Sequence, residues 1–230
     1  MSTLLRFKEW LSLEEATRHL SSLCEEQVTQ ADILRIALDG HLQLSVHFVN
    51  HARGRPGMIV PLENAKKHSI PISAIQAVPE LKNHPELLEG IVSVETSVFD
   101  GIYLGEEGVL ELEQKIISLQ GVWDLAMIGA ERLDVEHRYQ SLTNGPPVEL
   151  TFIDGAIVSN GEEFAQIQEH YGDNEYLRDK SRLSADPYDP SNYYPAGRLP
   201  DDAVFVVRTK VLEAFRLKLS DTEHDGLAGC

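Results

Sequence analysis

The side chains best equipped for chemistry in this chain are three histidines (His41, His47, His51), two aspartate pairs (Asp186 with Asp189, Asp201 with Asp202) and the thiol of Cys24. Imidazoles ligate transition metals, clustered carboxylates hold hard cations, and a thiolate is a nucleophile. Spacing decides how far each can go. On an extended segment His41 and His47 stand about 20 Å apart, at roughly 3.3 Å per residue, too far to share an ion. His47 and His51 meet only if the chain folds back after Phe48, and no third ligand accompanies them. The aspartate pairs lack the twelve-residue calcium-loop pattern, and Glu25 and Glu26 disfavour a thiolate at Cys24. No phosphate-binding glycine loop, nucleophile elbow or His-Glu-x-x-His helix occurs. The expectation is a protein that binds rather than catalyses, with no metal and no cofactor. An enzyme would need a site assembled from distant loops, such as residues 186 to 194.

The elements at the start of the chain have a definite order. Trp10-Leu11-Ser12-Leu13-Glu14-Glu15 places a hydrophobic residue before Ser12 and a glutamate three after it, which predicts a helix from about Leu13 with Leu13, Ala16, Leu20 and Leu23 on its apolar stripe. Thr29 with Asp32 starts a second helix, and Gly40 closes it. From His41 the period changes to two, with Leu42, Leu44, Val46 and Phe48 on one side, as in a half-buried strand. Asn50 to Gly57, rich in Gly, Pro and Arg, reads as a turn, and Met58-Ile59-Val60 as the returning strand before Pro61.

Two helices and a hairpin tipped by Arg53 and Arg55 resemble the small winged-helix modules of excisionases and MerR-type regulators, whose opening words are like Trp10-Leu11-Ser12-Leu13-Glu14-Glu15-Ala16 and whose wing follows a Gly-x-Leu like Gly40-His41-Leu42. The resemblance covers roughly a fifth of the chain. It implies that Gln30 and Arg35 lie on the helix offered to DNA, and that Arg53 and Arg55 touch phosphates from the wing. The order of segments also resembles uncharacterised proteins of bacterial mobile elements and prophages, through the Trp10 motif, Gly121-Val122-Trp123-Asp124-Leu125 and Val206-Val207-Arg208-Thr209. That likeness implies no activity.

Charge departs from a DNA reader. Net charge is −17, and residues 1 to 55 hold six Lys or Arg against seven Asp or Glu, whereas counterion release on DNA needs a basic excess. Such acidity suits a basic protein partner, and an acidic interaction module or nucleic-acid-mimicking inhibitor is the alternative to a DNA-linked regulator or adaptor. Composition, 42% hydrophobic and 25% charged, is that of a globular chain, and a homo-oligomer is compatible with it. The opening residues carry Arg6, Lys8 and Glu9 without an apolar core segment, and no apolar run approaches the roughly 18 residues that span a bilayer, so a cytoplasmic protein without membrane attachment is expected.

The fold expected is α+β: a winged-helix-like module over residues 1 to 62, a proline-rich linker over 63 to 88, an acidic α+β domain with antiparallel hairpins over 89 to 220, and a frayed tail over 221 to 230. In the domain, residues 91 to 99 read as strand, and Asp100-Gly101 and Asp154-Gly155 as hairpin corners. Residues 109 to 119 are balanced between strand and helix, 121 to 129 form an apolar link, and a charged helix follows over 130 to 142. Asn160 with Glu163 predicts a helix through Phe164, Ile167 and Tyr171. A Pro, Tyr and Asp loop over 186 to 195 presents Tyr188, Tyr193 and Tyr194 as partner-binding candidates. A strand at 203 to 207 and a last helix from Thr209 complete the chain.

Overall fold

The computed structural model describes residues 7–71, 95–148, 154–174 and 183–227. The fold is mixed α+β, and the registered strand pairs of its large sheet are antiparallel. The chain divides into two compact units, Met1–Pro56 with Gln114–Cys230, and Gly57–Glu113.

In the first unit the two opening helices form where their caps place them. In α1 (Leu13–Cys24) the Ser12 hydroxyl accepts from the Glu15 amide at 3.2 Å, and the Glu15 carboxylate accepts from the Ser12 amide at 3.1 Å. Thr29 and Asp32 exchange the same pair of bonds at the head of α2 (Gln30–Leu38), and Gly40, at φ 79°, ends it.

These helices do not close on their own sequence neighbourhood. The short strand β1 (Trp10–Ser12) pairs with β11 (Ala203–Arg208), joining the start of the unit to its end. The sheet then runs through β2 (Ser45–Val60), β7 (Ile117–Leu125), β8 (Ile157–Asn160), β9 (Glu163–His170) and β10 (Tyr193–Pro195). Alternate residues on one face, among them Leu11, Val207, Val46, Trp123, Leu125 and Val158, meet Leu20 of α1, Leu34 of α2, Val135 of α3 (Ala130–Thr143) and Leu212 of α4 (Thr209–Leu227). One core thus takes residues from both ends of the chain, and the module drawn over residues 1 to 62 is not a separate body.

The second unit contains the end of β2, paired with β6 (Val109–Leu112), which in turn pairs with β5 (Ile102–Tyr103). It also contains a ladder of β3 (Lys67–Pro71) with β4 (Glu95–Phe99). Lys66 and Glu111 form an ion pair here at 2.9 Å.

Several expectations are corrected. The hairpin of the winged-helix reading does not form: residues 45 to 60 are one strand, so Arg53 is paired in a ladder and Arg55 lies in the same strand, neither at a wing tip. Two partners distant in sequence override the turn composition, β7 alongside residues up to Gly54 and β6 from Gly57 onward. Pro56 falls between the two ladders, where no amide is needed. Gly57 serves packing, since a Cβ there would strike the Glu111 carbonyl. The helix expected over 160 to 171 is instead β9, reached from β8 by a tight hairpin with Gly161 at φ 70°. Ala165 and Ile167 then enter the core while Gln166 and Gln168 point the other way, and this burial outweighs the local cap signal. The apolar link at 121 to 129 begins as the end of β7, and Asp100-Gly101 joins β4 to β5, which pair elsewhere. The expected strand at 91 to 94, most of the linker and most of the Asp154-Gly155 hairpin's first arm lie outside the described residues.

Candidate functional site

Because the four α-helices among the described residues feed the core on one face of the first unit's sheet, the register defines what the opposite face carries. Its central row is Ser12, Val206, Ser45, Asp124 and Ser159, each directly across from the next. Trp10 and Arg208 form the row on one side, and Val204, His47 and Val122 the row on the other. The Trp10 and His47 rings stack at 4.9 Å between centroids, diagonally across Val206, which is fully buried. Val204 and Val49 are left 42% and 56% exposed, more than apolar strand residues with a covered face would be.

A polar bracket holds the three central strands of this face. The Arg208 guanidinium donates from Nε to Asp124 Oδ1 at 2.6 Å and from Nη2 to the Val122 carbonyl at 2.8 Å. The Ser45 hydroxyl, fully buried, donates to the same Asp124 oxygen at 2.6 Å. One carboxylate thereby satisfies groups on β2 and β11 from its place on β7. Asp124→Ala leaves the Ser45 hydroxyl and the Arg208 Nε without their acceptor, and is expected to lower stability by about 2 kcal/mol in urea unfolding.

The seven residues singled out from sequence fall into separate groups. Ala52 is buried in the core, so Arg53 projects to the opposite side of β2, away from the described helices, with Arg55 two residues on sharing that side. The Arg53 guanidinium lies 4.6 Å from the Tyr188 ring centroid and donates to its hydroxyl at 3.0 Å. Gln30 and Arg35 are in the helix layer, on the other side of the sheet, and Arg35 is held by Asp39 at 2.9 Å. The structure therefore brings Arg53 together with Tyr188, with Arg55 on the same side of the strand, but does not bring Gln30 and Arg35 to them.

Tyr193 and Tyr194 are in strand β10 rather than an irregular loop. The Tyr193 hydroxyl donates to the Pro187 carbonyl at 2.6 Å and its ring meets His170 edge-on. The Tyr194 hydroxyl donates to Glu169 at 2.6 Å, a bond that pushes the phenol above its ordinary pKa. The loop before them is organised by Asn192, almost fully buried, whose side chain bonds the backbone of Ser184 and Asp186. Asp186 and Asp189 accept from the amides of Tyr188 and Ser191, and the Ser191 bonds hold Asp189 below the usual carboxylate range. His51 lies 3.1 Å from the Ser118 hydroxyl, and His47 is in the Trp10 stack. Among the described residues no three His, Cys, Asp or Glu side chains are arranged to hold a metal, and no helix is long and apolar enough to cross a membrane.

The Trp10–His47 stack, the Asp124–Arg208 bracket and the exposed Val204 were not anticipated from sequence. Each joins segments far apart in the chain, and only the register β1 to β11 to β2 to β7 puts them on one face. The one local signal was the run Val204 to Val207, apolar on both sides of a strand whose described helices lie on only one. Compared with known protein families, with curated proteins and with solved structures, the chain matches none.

Proposed function

We propose that this is a non-enzymatic interaction protein, an adaptor whose sheet face opposite the described helices takes a basic protein partner. The observation that carries the reading is the composition of that face: Val204, Val49, Val122 and the Trp10–His47 stack at its centre, on strands braced from beneath by a full core. An apolar and aromatic centre on rigid strands is the ground plan of a protein interface. One acidic group at its margin is the exposed Asp202, bonded to Asn50. The chain's net charge of −17 favours a basic surface on the partner.

The DNA-linked reading keeps one point of support. Arg53 and Arg55 share the face that bears Tyr188, and arginine with aromatic rings on an open sheet suits nucleic acid as well. One experiment separates the two. Tagged full-length chain is used to retain proteins from a host extract beside a Val49→Arg, Val204→Arg variant, and both are run in gel shifts at about 50 mM salt. The adaptor reading expects a basic protein retained by the wild type and lost by the variant, with no shift. Equal retention by both overturns it. A salt-sensitive shift that disappears in Arg53→Ala, Arg55→Ala establishes the nucleic-acid reading in its place.

A further inference from the structure

Away from the open sheet face, in the helix layer of the same unit, a cleft of about 560 Å³ lies between the end of α2 and one side of α4. Its apolar wall is made by Leu38, Leu42, Met127, Val211, Ala214 and Phe215. Its polar lining is His41, Gln43, Arg132, Lys210 and Lys218, with no carboxylate among them. On a chain with 37 acidic and 20 basic residues this is an unusual sampling, and three other clefts of the molecule each include at least one carboxylate. Charges lining a concave, low-dielectric wall act on a ligand more strongly than the same charges on a convex surface.

Two details show that the cleft is held in shape. Met127 takes a left-handed backbone conformation, φ 61°, which a non-glycine residue adopts only where its surroundings impose it. Its partly buried side chain thereby packs on the core while lining the cleft. Arg132 donates to the Leu38 carbonyl at 3.3 Å, and the neighbouring carbonyls at the end of α2 accept from Asp39, Gly40 and His41 amides. The negative end of α2, which would repel an anion, is therefore already satisfied. Gln43 spends its amide on the Leu44 and Leu125 carbonyls at 2.9 and 2.8 Å, fixing the cleft's floor to the sheet.

We propose that this cleft binds a small organic anion, one with an aromatic or aliphatic body against Met127 and Phe215 and a phosphate-like head at Lys210 and Arg132. Its volume is within the range of small-molecule sites, and its lining joins an apolar wall to the cationic side chains of Arg132, Lys210 and Lys218. The protein would then be an adaptor that also answers to a metabolite.

The test is calorimetric titration of the full chain with 1-naphthyl phosphate, with 1-naphthol and inorganic phosphate as its two halves. One-to-one binding with Kd below about 1 mM is expected, at least tenfold tighter than either half. Lys210→Glu should weaken it at least tenfold, and Ala214→Trp, which fills the apolar wall, should abolish it. Both positions are exposed, and circular dichroism checks that each variant keeps the wild-type fold. Absence of saturable binding, equal binding of 1-naphthol or of inorganic phosphate, or undiminished binding by the two variants overturns the proposal.

Discussion

Replacing Glu131 with alanine is expected to lower stability by about 3–5 kcal/mol, the cost of stripping buried donors of a charged acceptor. Glu131 is fully buried near the start of α3. Its Oε1 accepts from the amides of Ile128 and Gly129 at 2.8 and 2.9 Å, and its Oε2 from the amide of Ile157 at 2.7 Å. One side chain therefore finishes the helix start and pins it to β8. At about 2–4 °C per kcal/mol for a chain of this size, the thermal midpoint should fall by roughly 6–20 °C. Glu131→Gln keeps the shape and one oxygen but turns an amide donor towards other donors, so a loss of about 1–3 kcal/mol is expected.

The same residue sets a pH dependence. Burial pushes the Glu131 carboxyl above the ordinary glutamate range, although the backbone amides of Ile157 and Gly129 pull it back in part. The native state then holds a proton over a window in which the unfolded chain has lost it. Stability therefore falls as pH rises from the ordinary glutamate value through the raised folded one, and is level above that. Asp134, also raised by burial, works in the same direction. Comparison of wild type with Glu131→Gln across pH isolates the first group: the wild type's margin should be widest at the acid end and narrow as pH climbs. A margin that widens instead would mean the carboxylate is favoured in its cradle of amides.

Gly129→Ala is expected to cost about 3 kcal/mol, near the top of the range for overpacking. The backbone at Gly129, φ −125° and ψ −155°, is open to any residue, so the demand is for space alone. A Cβ there would fall against the Gly155 carbonyl oxygen and 2.7 Å from Glu131 Oε2. That carbonyl is itself bonded to the Ala130 amide at 2.8 Å, so it cannot swing away without breaking the junction of α3 with the strand below. Chemical denaturation of the two single variants and the double one checks both predictions. Glu131 and Gly129 serve one corner, so the double change should cost less than the sum. Additive losses would mean that the corner is not a unit.

Much of the first unit's local structure was legible residue by residue. Ser12 with Glu15 and Thr29 with Asp32 announced two helix starts, Gly40 an end, and Val204 to Val207 followed by Thr209 a strand passing into a helix. These signals lie within a few residues of the structure they produce, because caps and helical periodicity are satisfied by near neighbours. Residues 50 to 57 and 160 to 171 were misread for the complementary reason. Gly, Pro and Arg suit a turn, and Asn160 with Glu163 suits a cap, until β7, β6 and β8 arrive from elsewhere in the chain and offer a ladder. A strand's fate rests on its partners, which composition does not name.

The acidity of the chain, its helix caps and the mixed α+β class follow from the amino-acid order alone, since charge and local hydrogen bonding require no knowledge of distant segments. Only the tertiary structure decided that Trp10 meets His47, that Asp124 serves Ser45 and Arg208 together, and that Arg53 and Arg35 belong to opposite sides of one sheet. Strand register determines those outcomes, because a side chain's face alternates at every residue and a shift of one would exchange the covered face for the open one.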